Sequence, residues 1–215
     1  MGFDKKWQEN FADINVHEEL YNLKKKPLVS FFHLKRVEEI VKIVEKLKPK
    51  TLIEVACGDG FVLQEISKIK NAPKLTGVEI SEKRIERCKS KPFKAEYILG
   101  DILKLPFKDN SFDAVVATEI LEHIPNYQIA IAELNRIIKP GGHIIITFPN
   151  ELNLRLGRLL ILNFPIKFPD HFNWFVPGYL DKYFDNKIAE KNIPWGPFFF
   201  CLTHMDVYKK NAKLK

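Results

Sequence analysis

Residues 51–60, Thr-Leu-Ile-Glu-Val-Ala-Cys-Gly-Asp-Gly, decide the fold. The run at 51–56 is short, mostly apolar and stopped by glycine. Immediately after it, Phe61, Val62, Ile66 and Ile69 fall at helical spacing. A buried strand, a glycine bend and a helix in that order are the opening of an α/β unit. The pattern then repeats. Residues 75–80 predict a second strand, with Ser81 as N-cap of a helix to about residue 89. Residues 95–99 predict a third strand and 112–117 a fourth. Residues 127–138 form a helix with Ile131, Leu134, Ile137 and Ile138 on one side. Pro140-Gly141-Gly142 predicts a turn before a fifth strand at 143–148. Strands that are nearly all apolar, alternating with helices, belong to a parallel sheet covered on both faces. Such sheets bind ligands at the carboxyl ends of their strands, near the switch in strand order.

The flanks read differently. Leu34, Val37, Ile40, Val41, Val44 and Leu47 mark one stripe of a helix that Pro49 ends. Residues 150–175 are irregular and rich in Pro, Leu and Phe, and further strands are expected at 187–192 and 198–208. The 215 residues predict a single domain: an N-terminal helical segment (1–50), a core (51–150), an insertion (151–185) and C-terminal strands (186–215).

Composition excludes several classes. With 46% hydrophobic and 28% charged residues, the chain is neither disordered nor fibrous. No apolar run approaches the roughly 20 residues of a membrane span, and no signal peptide is visible at the N-terminus, so a cytoplasmic protein is expected. Three cysteines, Cys57, Cys88 and Cys201, make neither a disulfide framework nor a zinc motif. The net charge of +7 lies on the flanks: residues 51–150 hold 13 basic and 13 acidic side chains.

The glycine bend is not a pyrophosphate loop. Counted from Gly58, the third glycine of Gly-x-Gly-x-x-Gly would fall on Leu63, and no Gly-x-x-x-x-Gly-Lys exists. Acids gather instead at the strand tips: Glu54, Asp59, Glu79, Asp101 and Glu119. They would repel a pyrophosphate and suit a ligand with cationic groups and free ribose hydroxyls. Glu79 stands 19 residues past Gly60, near the spacing at which an acid meets a ribose in such folds.

These motifs resemble the class I S-adenosylmethionine (SAM)-dependent methyltransferases over about residues 50–150. LIEVACGDG looks like the first motif, GVEIS the second and GDILKLPF the third, with FDAVVATEILEHI and LNRIIKPGGHIIITFPN as the fourth- and fifth-strand motifs. Ala56 stands where the family usually has glycine. The resemblance implies a Rossmann-like, doubly wound, mostly parallel seven-stranded sheet with an antiparallel strand from the last hairpin. It implies SAM as cofactor. Glu54, Ala56, Cys57, Gly58 and Gly60 would line its methionine part, Glu79 and Ile80 the ribose, Asp101 and Ile102 the adenine, and Glu119 the crevice.

Glu119-Ile-Leu-Glu122-His123 carries the candidate chemistry. At helical spacing its two carboxylates and imidazole share one face, a mixed set that suits a divalent metal. The spacing resembles Glu-x-x-Glu-His of metal-dependent O-methyltransferases, including small-RNA 2′-O-methyltransferases, in which a further His follows later; Asp170-His171 occupies a similar place. Glu119, Glu122, His123 and His171 are therefore the metal candidates, alongside pocket-lining and purely structural readings. His123, with Glu119 and His171, is the catalytic candidate.

The expected reaction is methyl transfer to an oxygen of a small molecule. The apolar residues of 151–185 read as a lid over an apolar acceptor, as a peripheral membrane contact, or as packing on the N-terminal helices. An RNA-modifying enzyme and a non-catalytic SAM-binding protein are the alternatives. Oligomeric state is not legible.

Overall fold

A computed structural model describes residues 24, 27–160, 171–194 and 201–212. Phe198, Phe199, Phe200, Asp170 and most of the 24–26 lysine run lie outside them. The elements run α1 (Pro27–Leu47), β1 (Thr51–Val55), α2 (Phe61–Ile66), β2 (Lys74–Glu79), α3 (Glu82–Lys89), β3 (Glu96–Leu99) and β4 (Phe112–Thr118). A 3₁₀ turn (Leu121–His123) leads to α4 (Tyr127–Ile137), β5 (Ile138–Pro149) and α5 (Glu151–Leu160). A second 3₁₀ turn (Asp181–Tyr183) precedes β6 (Asn186–Ile193) and β7 (Thr203–Lys209).

The seven strands form one sheet in the order β3-β2-β1-β4-β5-β7-β6. β1 to β5 are parallel, and β7 inserts antiparallel between β5 and β6. This is the doubly wound seven-stranded sheet that the sequence predicts. Its strand order reverses at β1, which pairs with β2 on one side and β4 on the other, so the crevice opens at the tips of β1 and β4.

The apolar runs serve two cores because successive side chains point to opposite faces. Ile53, Val55, Val115, Ala117, Ile144 and Ile146 meet Ile131, Leu134 and Ile137 of α4 on one face. Leu52, Ala114, Val116 and Ile145 meet Val37, Ile40 and Val44 of α1 and Val62 and Leu63 of α2 on the other. α1 is therefore a layer of the sandwich rather than an appendage.

Three local expectations change. The helical spacing that runs from Phe61 to Ile69 forms a helix only as far as Ile66. The strand expected at 198–208 is assigned at Thr203–Lys209. Pro140-Gly141-Gly142 is not a turn ahead of β5 but an irregularity inside it: pairing jumps from Phe112↔Ile138 to Ala114↔His143. Gly141 takes φ 78°, and a Cβ on Gly142 would lie 2.9 Å from the Asp113 and Lys139 carbonyls. Glycine lets the strand bulge and rejoin its register.

Candidate active site

Three residues of the glycine bend, Ala56, Gly58 and Gly60, take left-handed φ values of 54°, 54° and 71°. The bend is drawn onto β2: the Cys57 amide donates to the Val78 carbonyl at 2.9 Å. Gly77 makes the approach fit, since a Cβ there would stand 2.8 Å from Cys57 Sγ. The adjacent Cys88 thiol and burial push the Cys57 thiol well above its usual value, which keeps it an unreactive packing residue.

Glu79, at the tip of β2, is held by backbone. Its Oε2 accepts the Gly58 amide at 2.9 Å. Its Oε1 accepts the Ile80 and Ser81 amides at 3.0 and 3.1 Å. The carboxylate is thus aimed, buried and tied to the glycine bend, with one lone pair left over on Oε2. Asp101 is fixed more lightly, by the Leu103 amide at 2.9 Å, next to the buried Ile102. Asp59 turns away from the crevice and pairs with Arg87 of α3 at 2.7 Å.

The other side of the crevice has far fewer partners for its acids. Glu54 is 1% exposed; Thr118 Oγ1 donates to its Oε1 at 3.4 Å, while Oε2 has no partner. Burial raises its pKa well above the usual carboxylate range. Glu119 departs from the expected helical face. It is the first residue past β4, its amide donates to the Thr147 carbonyl at 3.1 Å, and its φ is 47°. The sheet ladder still holds its backbone, so only Leu121–His123 form a helical turn. Its carboxylate faces α1, where Arg36 Nη1 lies 3.4 Å from Oε2. Burial raises the Glu119 pKa against the pull of Arg36. One turn earlier on α1, burial and then Arg36 hold His33 down to about 3. α1 thus brings a buried cation to the cleft.

Glu122, His123 and His171 do come together. Each offers a ligand atom, and these atoms lie within 4.8 Å of one another; Glu119 is not in that set. Glu122 is 1% exposed, its Oε2 has no partner, and burial followed by the Glu119 charge raises its pKa to about 8. Its Oε1 lies 3.9 Å from His123 Nε2. The His123 and His171 rings meet edge to face at 4.7 Å. His171 reaches the site because the Phe172 and Asn173 amides donate to the Glu122 carbonyl at 2.8 and 3.1 Å.

Two residues the motifs did not single out complete the arrangement. One is Arg36. The other is Glu151, the first residue of α5, which is 1% exposed and hydrogen-bonds His171 Nδ1. Arg155 joins Glu151 at 3.5 Å and stacks over Trp174 at 4.5 Å. The signal for Arg36 was a charge one turn before the buried Ile40; that for Glu151 was an acid directly after an apolar strand.

Residues 53–146 match the family described as "Methyltransferase domain". A demethylmenaquinone methyltransferase of Staphylococcus aureus (strain MRSA252) is 33% identical over 140 residues, which cover 60% of this chain and 58% of the relative. The chain therefore spans less than two thirds of that relative's length. A solved Pyrococcus horikoshii OT3 protein superposes with TM-score 0.70 at 22% identity, covering 98% of this chain and all of that one. The plantazolicin methyltransferase in complex with SAH gives TM-score 0.68 at 16% identity, over 95% and 94% of the two chains. At those identities the likeness is one of fold.

Proposed function

We propose, from the match of residues 53–146 to the methyltransferase domain family, that this protein moves a methyl group from SAM to an oxygen of an apolar small molecule. The observation that carries the SAM half is Glu79. Its two oxygens are fixed by three amides at the β2 tip, beside a bend of left-handed residues, and Oε2, which accepts only one of them, can take a ribose hydroxyl as well. On this reading Asp101 and Ile102 frame the adenine. Ala56, Cys57, Gly58 and Gly60 present backbone to the methionine end. Glu54 and Glu119, with one unpartnered oxygen each, offset positive charge there.

Bound SAM supplies a methyl carbon already activated by its sulfonium. The chain's task is then alignment, exclusion of water and removal of the acceptor's proton. His123 faces the acceptor side and is the residue read as taking that proton, with Glu119 and His171 beside it. Leu152 and Leu156 on α5, and Phe172 and Trp174 in the segment after His171, leave much apolar surface exposed, which supports an apolar acceptor. So does the acceptor named for the Staphylococcus aureus relative.

Calorimetry tests the first half: SAM and its demethylated product should bind, and a nicotinamide dinucleotide should not. Tritiated-methyl SAM with fractionated cell extract tests the second. Label is expected in the lipid or small-molecule pool. Label confined to RNA or protein would overturn the acceptor assignment.

A further inference from the structure

We infer that Asn173 is a positioning residue for methyl transfer: its side-chain amide locks the turn that carries His123 to the segment that carries His171, and so assembles the acceptor side. The inference rests on the acceptor-side reading of the two histidines proposed above and adds a residue to it.

Neither piece of chain has extended regular structure to fix it. Only Leu121–His123 form a helical turn after β4, and residues 171–176 are neither helix nor strand. A side chain on irregular backbone is placed no better than that backbone, so such a site needs specific groups to tie it down.

Asn173 ties the two pieces together. Its Nδ2 donates to the Leu121 carbonyl at 3.1 Å and to the Ile124 carbonyl at 2.7 Å. Its main-chain amide donates to the Glu122 carbonyl at 3.1 Å, beside the Phe172 amide at 2.8 Å. The side chain therefore grips both ends of the turn while the backbone grips its middle, and His123 lies inside the grip. Both ends are rooted. Leu121 and Ile124 are fully buried, and the Ile124 amide closes the turn on the Leu121 carbonyl at 3.2 Å. Two residues beyond Asn173, buried Phe175 is anchored edge-on against Tyr127 and Phe148. Within this frame the His123 and His171 rings meet at 4.7 Å, and Glu151 holds His171 from α5.

The grip requires an amide. Nδ2 has two N–H groups, one for each carbonyl. Aspartate has nearly the same shape but offers only acceptors, and would set its charge against two carbonyl oxygens. Alanine removes the donor from both. Alignment is the chain's main task in this reaction, and a displacement of about 1 Å can cost about 100-fold in rate. No residue of the glycine bend or of the β2 tip takes part in the grip, so its loss should act on transfer and not on SAM binding.

The test compares wild type with Asn173→Ala and Asn173→Asp in transfer of labelled methyl to the extract fraction that the wild type labels, at saturating SAM. The maximal rate should fall about 10- to 100-fold in both. SAM affinity by calorimetry should be unchanged, which also shows that the variants fold. Asn173→Gln keeps both N–H donors on a longer stem and should recover part of the rate; with Asn173→Asp it carries the comparison if Asn173→Ala does not fold. Tyr183→Phe is the control for a purely structural role. It removes a 3.2 Å hydrogen bond to Tyr127 that holds the same insertion to α4 without touching the turn, and its rate should stay at the wild-type level. In NMR spectra, the Overhauser contact between the His123 and His171 ring protons should be present in the wild type and lost in Asn173→Ala. An undiminished rate in Asn173→Ala, an equal loss in Tyr183→Phe, or an intact ring contact in Asn173→Ala overturns the inference. Wild-type protein that labels no fraction would instead sink the methyltransferase reading, and the ring contact would then decide alone whether Asn173 positions the two histidines.

Discussion

The two walls of the crevice treat their acids in opposite ways. On the β2 wall, Glu79 is held by three backbone amides and tethered to the glycine bend. On the β4 wall, Glu54, Glu119 and Glu122 each keep one buried oxygen without a partner. A carboxylate already held by backbone amides is fixed in direction and can take a neutral hydroxyl in set geometry. A buried carboxylate short of donors is destabilising until positive charge arrives. The first wall is built to recognise shape, the second to wait for charge. The difference fits a ligand whose sugar lies on one side and whose cationic end lies on the other.

Breaking the β2 wall should have the largest effect. Glu79→Ala removes the acceptor of three amides together with the ribose contacts proposed for it. SAM affinity measured by calorimetry should fall at least 100-fold, about 3 kcal/mol, as charged hydrogen bonds of about 1.5–3 kcal/mol each allow. Glu79→Gln keeps an acceptor and should fall less. Equal losses in the two variants would mean that Glu79 serves only the loop.

Arg36 tests the other wall. Arg36→Met removes the cation 3.4 Å from Glu119 and leaves that carboxylate facing an apolar side chain. Breaking a buried pair costs about 3–5 kcal/mol. Glu119 remains partly open to solvent, so about 2 kcal/mol in denaturant unfolding is expected. Adding Glu119→Gln should recover part of it, because the stranded charge goes too.

Much of this was legible because it is local. Short apolar runs separated by helical spacing announced β1 to β5, and the glycine bend announced itself by composition. Gly141 and Gly142 misled, because the same residues that make a turn also make a bulge; only the pairing with β4 distinguishes them. Glu119 misled because i, i+3, i+4 spacing presumes a helix, whereas the ladder from β5 holds its backbone in strand pairing. Arg36 and Glu151 stayed hidden because their partners are remote in sequence. Glu151 meets a histidine 20 residues away across a segment with no periodicity.

Glu54 gives a pH signature to the β4 wall. Its folded pKa is raised by burial, so between the unfolded value and the folded one the native state holds a proton that the unfolded state lacks. Stability from this group is complete below about pH 4 and declines as pH rises toward the folded value. Glu54→Gln carries no such proton. In the absence of SAM, thermal unfolding should show the wild type losing stability relative to this variant as pH rises above about 4. Saturating SAM should shrink the difference, because the ligand's positive charge favours the ionised acid. Parallel pH profiles for the two proteins would show that Glu54 is not strained by its burial.

The smallest effect sits at Ala56 on the β2 wall. An L-residue at φ 54° crowds its Cβ against its own carbonyl and costs about 1–2 kcal/mol, which glycine avoids. Glycine in turn loosens the unfolded chain by about 0.4–1 kcal/mol. Ala56→Gly should therefore gain up to about 1 kcal/mol, a rise of about 2–4 °C in melting temperature for a chain of this size. The reciprocal change four residues later must do worse than break even. Gly60→Ala meets φ 71° and places a Cβ 3.1 Å from Cys88 Sγ and 3.2 Å from the Tyr97 hydroxyl, so backbone strain and crowding act together. SAM affinity should survive Ala56→Gly and drop with Gly60→Ala. If both substitutions left binding and melting unchanged, the left-handed bend would not be a rigid support for Glu79, and the contrast between the two walls would rest on the carboxylates alone.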